Sequence, residues 1–241
     1  MSKKPILFST PMVQAILDQR KSTTRRVVKP QPKQDYPLGF LSSSTDSLQI
    51  GKYGWGSHEH GGIIDLAKPP YQIGGILWVQ ETWADTWTPD SNDLGVIYKA
   101  DGKPAIFPYW GNANKSKDEV WKPSIYMPRK VARLFLKVTN VRVERLQAIS
   151  TKDIRSEGLT SMAVHCLDYE IASQEWKLLW DGIYGDPKPV KENGVITHFE
   201  SYPWVDIHET TKHKGLPWVI SGNPWVWVIE FERVIDYETK S

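Results

Sequence analysis

The chain has little cysteine and no long apolar run, and both shortages limit what it can be. Cys166 is the single cysteine in 241 residues, which excludes an internal disulfide framework and is compatible with a reducing cytoplasm. No apolar stretch approaches the roughly 20 residues that a membrane-spanning helix needs. The start, Met-Ser-Lys-Lys-Pro, lacks the apolar core of a signal peptide. We therefore expect a soluble cytoplasmic protein without membrane contact.

The chain also has little net charge. A net charge of +2 and an isoelectric point near 8.4 are too mild to require a nucleic-acid partner, although a local basic patch can still bind one. The sequence also lacks the spacing of ligands that is typical of metal sites, since it contains no paired cysteines and no His-Glu-x-x-His pattern. We expect no metal and no cofactor. The histidines and the cysteine considered for a metal site are His58, His60, His165, Cys166, His208 and His213.

A basic, hydroxyl-rich segment at 19–26 is the most informative feature of what the chain does contain. It reads Gln-Arg-Lys-Ser-Thr-Thr-Arg-Arg, and residues 21–26 are predicted as the exit loop of a short amphipathic helix that ends near Arg20. Lys21 lies three residues before Thr24, and Arg26 lies two residues after it. The segment thus contains, within six positions, a base, a hydroxyl nucleophile and a cation that can bind an anion or a carbonyl oxygen. The segment suits amide chemistry or nucleotide binding, and the alternative is a solvated basic loop.

Periodicity elsewhere predicts strands interrupted by short helices, without a βαβ rhythm. The predicted strands cover 76–79, 132–146 and 224–232, and the predicted helices have their caps or first residues at Thr10, Ser150 and Glu170. Segments 33–70, 85–122 and 181–217 lack clean periodicity and are interpreted as insertions. We therefore predict an α+β protein, with a small mixed β-barrel in a single domain over 1–241 that irregular insertions enlarge.

The order of these segments resembles a known family. The pattern Gln19-x-Lys21-x-x-Thr24-x-Arg26 is similar to the Gly-x-Lys-x-x-Thr-x-Arg motif of ASCH domains, a branch of the PUA-like β-barrels. The glycine-turn strand at 74–79, the helix that ends in Glu157-Gly158 and the closing strand at 225–231 match in the same order. Longer segments, such as 78–83, resemble the larger ASCH proteins of phages and prophages, which would place the protein in a host-cell cytoplasm. Glutamine replaces the first glycine of the motif, so a left-handed turn at that position would be strained.

The resemblance implies one possible enzyme activity. Small bacterial ASCH proteins include amidohydrolases that remove the acetyl group from the exocyclic amine of acetylcytidine. Carried over to this chain, Thr24 is the nucleophile, Lys21 is its base and Glu157 is a further acid or base. A threonine hydroxyl needs a nearby base, and a lysine can serve once desolvation or neighbouring cations lower its pKa. Arg26 would then hold the substrate carbonyl or the oxyanion.

The same resemblance also implies a binding function without catalysis. PUA-like barrels bind RNA or hold a flipped or modified base, so we expect a modified nucleoside or a nucleic acid as partner, with RNA favoured over DNA. In this case Lys21, Arg25 and Arg26 contact phosphate or a base edge. Thr24 then only donates a hydrogen bond.

Four residues outside the motif are further candidates for substrate binding. Trp78, Trp83 and Trp225 are candidate stacking platforms, with a role in core packing as the alternative. Glu81 ends a predicted core strand, where it either faces the same pocket or pairs with Arg26 to position the loop.

Overall fold

The computed structural model describes residues 3–34, 36–56, 62–88, 91–102, 121–159, 168–205 and 212–234. These residues form fourteen strands and three α-helices, so the protein belongs to the α+β class and consists mostly of strands. The strands are β1 (Lys3–Leu7), β2 (Thr23–Val27), β3 (Tyr36–Phe40), β4 (Tyr53–Gly56), β5 (Ile63–Ala67), β6 (Ile76–Gln80), β7 (Trp83–Thr88), β8 (Ser91–Tyr98), β9 (Phe135–Arg145), β10 (Lys188–Glu192), β11 (Val195–Ser201), β12 (Lys212–His213), β13 (Leu216–Ile220) and β14 (Trp225–Val234). The helices are α1 (Thr10–Leu17), α2 (Thr151–Ser156) and α3 (Tyr169–Tyr184).

The strands are arranged in four sheets. Their orders are β1-β6-β9-β14-β2, β10-β11-β13-β12, β3-β4-β5 and β7-β8. Over the ranges given above, each sheet is open and none closes into a barrel. The PUA-like barrel therefore stays a prediction. None of the helices found in these ranges is long and apolar enough to cross a membrane.

The chain divides into two compact units, each made of separate segments. The first unit comprises Met1–Ser22, Ile73–Thr139 and Phe231–Ser241. Within it, β1 runs parallel to β6, and β6 pairs antiparallel with the first part of β9. Helix α1 buries Val13, Ala15 and Ile16, and Val13 and Ile16 share one side of the helix because they are three residues apart. The β7–β8 hairpin also belongs to this unit.

The second unit comprises Thr23–Gln72 and Asn140–Glu230. Within it, β14 pairs antiparallel with β2, the β3-β4-β5 sheet is antiparallel, and α2 contacts α3. The apolar core of this unit consists of Val27, Leu146, Ile149, Ile154, Ala172, Trp176, Trp180, Tyr202, Val226 and Val228. The expectation of a single domain with three insertions stays a prediction.

Elements with strong local signals form as predicted. Strands β6, β9 and β14 and helices α2 and α3 lie where apolar periodicity and caps indicated. Helix α1 differs in detail, because Ser9 is its cap residue, Thr10 is its first residue and it ends at Leu17. Two segments expected to be irregular contain strands of sheets, since 33–70 includes β3, β4 and β5, and 181–217 includes β10, β11, β12 and the start of β13.

Candidate functional site

Residues 23–26, predicted as part of an exit loop, belong instead to the strand β2, which runs to Val27. The side chains of Thr23, Thr24 and Arg25 are buried although all three are polar. The strand forms because β14 pairs with it antiparallel, with Thr24 opposite Ile229 and Arg26 opposite Trp227. Side chains alternate across a strand, so Thr24 and Arg26 point to one face of β2 and Arg25 points to the other.

Arg26 binds Thr24 directly. Its Nη1 donates to Thr24 Oγ1 at 2.8 Å and to the carbonyl oxygen of Arg25 at 3.0 Å. The cross-strand neighbours on the same face, Ile229 and Trp227, are 0 % and 3 % exposed. The Thr24 oxygen is therefore the acceptor of a charge-assisted bond beside apolar side chains, and its own O–H can donate to another group.

On the opposite face of β2, the guanidinium of Arg25 lies in a buried acidic cluster. Its side chain is 0 % exposed. Its Nε and Nη2 bind Glu144 Oε1 at 3.0 and 2.5 Å, and its Nη1 binds Glu157 Oε1 at 3.0 Å. Asp153 lies 3.7 Å away, and the ring of Trp176 is centred 5.9 Å from the guanidinium carbon. The observed partners of Arg25 are thus acids of its own chain, while its contact with a substrate phosphate stays a prediction.

Helix α2 brings Glu157 to this cluster. Ser150 and Asp153 form a capping box at its start, in which each side chain binds the backbone of the other residue. The chain leaves the helix at Glu157 and continues through Gly158 in the left-handed region, at φ 92°. Only glycine adopts this conformation at little cost. The cap and the terminating glycine predicted from the sequence are confirmed, and Glu157 is 4 % exposed.

The capping carboxylate is also part of the electrostatics of the cluster. Burial alone would raise the pKa of Asp153, but hydrogen bonds from Ser150 and the charges of Arg25 and Arg142 outweigh it and lower this pKa. A carboxylate with a lowered pKa stabilises the fold at neutral pH, and this contribution is lost as the pH falls through the lowered value. The cluster is thus most stable with Asp153 ionised.

Lys21 belongs to the first unit and is 3 % exposed. Its backbone N–H donates to the carbonyl oxygen of Ala15 at 3.0 Å, at the end of α1. Its Nζ lies 5.6 Å from the centre of the Phe8 ring. Lys21 is therefore a buried amine with a fixed backbone, whereas an ordinary surface lysine is solvated.

Gln19, two positions before Lys21, has the strained left-handed conformation that its place in the motif suggested, with φ 60°. We expect Gln19→Gly to raise the free energy of unfolding by about 0.5–1 kcal/mol. The left-handed conformation costs a non-glycine residue about 1–2 kcal/mol, and part of the gain is offset by the greater flexibility of glycine in the unfolded chain. Thermal unfolding measures the change. In the matched variant, Gln72→Gly, φ is not positive, so we expect lower stability, and equal effects of both substitutions would contradict the argument.

Glu81 lies in the first unit and is 1 % exposed. The sequence suggested Arg26 as a partner, but both carboxylate oxygens instead accept bonds from Arg133, from Nε and Nη2 at 2.9 Å each. The Nη1 of Arg133 also binds both oxygens of Asp101, and its guanidinium lies 3.9 Å from the centre of the Tyr98 ring. Burial raises the pKa of Glu81, and the bond and charge of Arg133 oppose this shift. Glu81 is thus clamped as one half of a buried ion pair.

Two of the candidate stacking residues, Trp78 and Trp83, differ in exposure. Trp78 lies on β6 between Pro5 and Phe135, and its side chain is half-buried. Trp83 is 7 % exposed, its indole N–H has no hydrogen-bond partner among the described residues, and Lys122 Nζ lies 4.8 Å from its ring centre. One side of the Trp83 ring is therefore already occupied, whereas Trp78 remains partly open to solvent.

The residues considered for a metal site contribute little to the described structure. His58, His60, His165, Cys166 and His208 lie outside the described residues. His213 packs edge-on against Phe199, with ring centres 4.6 Å apart. In the parts of the chain that are described, no group of three or more potential metal ligands comes together.

Sequence reasoning missed several charged residues that surround the candidates. Glu144 and Arg142 belong to β9, where they alternate with the apolar residues that identified the strand, and Arg142 binds Glu230 and lies 3.5 Å from both Glu144 and Asp153. Tyr71 was also missed. Burial raises the pKa of Tyr71, and the charge of Arg26 opposes the shift. Because Glu144 alternates with Val141 and Val143, the sequence assigns it to the polar face of the strand and gives no signal for its role.

No family model, curated protein or solved structure matches this chain, so its membership of the ASCH family stays a proposal that rests on its own residues.

Proposed function

We propose that this protein has a PUA-like fold of the ASCH type and recognises a nucleoside or nucleic-acid base, and that it removes the acyl group from the exocyclic amine of N4-acylcytidine. One observation carries the proposal. Lys21, Thr24 and Glu157 are 3 %, 1 % and 4 % exposed. Burial of polar and charged groups costs free energy, and proteins retain such groups mainly where they are paired or functional. The three residues implied by the ASCH resemblance are all of this kind, with Thr24 bound to Arg26 on one face of β2 and Glu157 bound to Arg25 on the other.

In the proposed reaction, Thr24 Oγ1 attacks the acyl carbon and its proton passes to the neutral amine of Lys21. The tetrahedral oxyanion collapses, the bond from carbon to the exocyclic nitrogen breaks, and the Lys21 ammonium returns the proton to the leaving amine. Water then hydrolyses the Thr24 ester, which releases the carboxylic acid and restores the hydroxyl. The products are cytidine and one carboxylic acid, and the only co-substrate is water.

Arg26 has a specific role in this scheme. Its Nη1 donates to Thr24 Oγ1 at 2.8 Å, so its positive charge stabilises negative charge on that oxygen or on the oxyanion formed beside it.

Arg25 acts as a positioning residue in the proposal, not as a substrate contact. It binds Glu157 Oε1 at 3.0 Å within the protein interior. This charge-assisted bond holds the Glu157 carboxylate against Arg25, on the face of β2 opposite to Thr24. We therefore assign Glu157 to orientation and charge stabilisation, and we assign protonation of the leaving amine to Lys21.

A non-catalytic function is the second candidate, and the same Arg25–Glu157 pair favours it. In this candidate the buried Arg25–Glu157 pair has only a structural role. Thr24 would then donate a hydrogen bond to a modified or flipped base in RNA or DNA without attacking it.

Turnover of acetylcytidine distinguishes the two candidates. We expect the wild-type protein to release cytidine, Thr24→Ser to retain measurable activity, and Thr24→Ala to lose at least about 1,000-fold in kcat/KM, as for removal of a nucleophile. Thr197→Val, which removes a half-buried hydroxyl from β11 in the same unit, serves as the matched control with unchanged activity. Absence of turnover by the wild type on the nucleoside and on acylated oligonucleotides, together with salt-sensitive RNA binding, would reject the hydrolase in favour of the binding module.

A further inference from the structure

Segment 123–130 in the first unit presents two apolar side chains to solvent. Ile125 is 63 % exposed and Tyr126 is 73 % exposed. They occupy neighbouring positions on a short 3-10 helix, Ser124–Tyr126, with Pro123 before it. Large exposed apolar side chains that are adjacent to each other are typical of contact sites.

The backbone of this segment is firmly attached to the protein. Tyr126 N–H donates to the carbonyl oxygen of Pro123 at 3.0 Å, and the Gln80 side-chain amide donates to the carbonyl oxygen of Met127 at 3.1 Å. The Met127 side chain is 2 % exposed, and its sulfur accepts the N–H of Glu81 at 3.2 Å. The exposure of Ile125 and Tyr126 is therefore a property of an anchored turn, not of a frayed loop.

Two exposed cations follow directly. Arg129 and Lys130 begin the 3-10 helix Arg129–Val131, and neither has an ion-pair partner among the residues that the structure describes. Nearby cations are different, since Lys122 pairs with Asp85 at 2.5 Å and Arg133 pairs with Glu81. No aspartate or glutamate occurs between positions 120 and 143. The segment therefore combines an aromatic ring with two uncompensated positive charges.

We propose that segment 123–130 is a docking site for single-stranded nucleic acid, with a base stacked on Tyr126, Ile125 packed beside it, and backbone phosphates at Arg129 and Lys130. This inference rests on the proposed function, because the strand would be the polymer that carries the recognised base. Stacking plus phosphate contacts is the general chemistry of single-strand binding. Two apolar side chains are enough to pack against a single base, whereas a stable protein–protein interface needs about 800 Å² on each partner.

The test uses a fluorescently labelled, single-stranded oligocytidylate RNA of twenty nucleotides and the full-length protein. We expect Tyr126→Ala to weaken binding by about 5- to 100-fold and Tyr126→Phe to leave it unchanged, because the ring supplies the stacking. The double variant Arg129→Gln/Lys130→Gln should lower the slope of log K against log salt by about 1.4, which corresponds to two phosphates on a single strand.

Tyr169→Ala and Lys191→Gln are matched controls, since both residues are exposed and lie in the second unit, and we expect them to bind the RNA as the wild type does. Equal RNA affinities for the wild type, Tyr126→Ala and Arg129→Gln/Lys130→Gln would overturn the proposal. It would also be overturned if Tyr126→Ala dissociated an oligomer in sedimentation without changing RNA affinity. Release of cytidine from free acetylcytidine is measured in parallel. Activity in a protein whose RNA binding does not depend on segment 123–130 rejects this docking site but not the hydrolase. RNA binding that depends on segment 123–130 without any activity rejects the hydrolase but not the docking site.

Discussion

Arg25→Met is expected to lower the free energy of unfolding by about 3–5 kcal/mol, the usual cost of removing one partner from a buried ion pair. The Arg25 side chain is 0 % exposed, and Glu157, which it binds, is 2 % exposed at its side chain. Methionine retains much of the volume but leaves the Glu157 carboxylate without this partner and Glu144 with a weaker set of contacts. Urea-induced unfolding, followed by circular dichroism, measures the difference.

A double variant separates the charge effect from the packing effect. In Arg25→Met/Glu157→Gln the uncompensated carboxylate is replaced by a neutral amide, so we expect recovery of at least half of the lost stability. Lys29→Met is the surface control, because its ion pair with Glu200 involves a lysine that is 57 % exposed, and such pairs contribute about 0–1 kcal/mol. A loss below about 1 kcal/mol for Arg25→Met would mean that the buried cluster is dispensable for stability.

Local signals in the sequence were enough to predict the elements that frame the candidate site. Strand β9 alternates apolar and polar residues, and β14 is nearly continuous in apolar residues, as expected for strands with one or two buried faces. Helix α2 has a capping box at Ser150 and a terminating glycine at position 158. Each of these signals depends on residues within a few positions of one another, so a single sequence contains all of it.

Strand β2 had no such signal, and the reason is physical. Its sequence, Thr-Thr-Arg-Arg-Val, shows no apolar alternation because both of its faces bury polar side chains. Arg25 is compensated by carboxylates on one face, and Arg26 is bound to Thr24 on the other. A strand of this kind exists only because β14 and the acidic cluster are present, and both lie far along the chain.

The ion pairs around the candidate residues were beyond sequence reasoning for a related reason. Arg25 and Glu157 are 132 positions apart, and Glu81 and Arg133 are 52 positions apart. No periodicity or spacing rule relates residues at such separations, so the sequence identified the residues but not their partners. Arg25 and Glu81 are members of buried ion pairs in the structure, and their contact with a substrate stays a prediction.

Arg133→Met is expected to destabilise the protein by about 3–5 kcal/mol at neutral pH, because Glu81 then remains buried and ionised without a partner. Burial raises the pKa of Glu81, and Arg133 opposes this shift, so the pKa rises further when Arg133 is removed. A carboxyl with a raised folded-state pKa stabilises the fold at low pH, and this contribution is lost as the pH rises through the raised value. The destabilisation should accordingly be smaller near pH 4.5 than near pH 7.5, which urea unfolding at the two values measures.

The matched variants test whether the Glu81 carboxylate causes the effect. Arg133→Met/Glu81→Gln removes the buried charge, so we expect it to be more stable than Arg133→Met at neutral pH and to lose the pH dependence between the two values. Lys137→Met removes a cation from the same unit, where its pair with Glu232 is exposed on both sides, at 47 % and 56 %, and should change stability by less than about 1 kcal/mol. Equal destabilisation by Arg133→Met at both pH values would assign the loss to packing against Tyr98, because a stacked guanidinium contributes independently of the ionisation of Glu81.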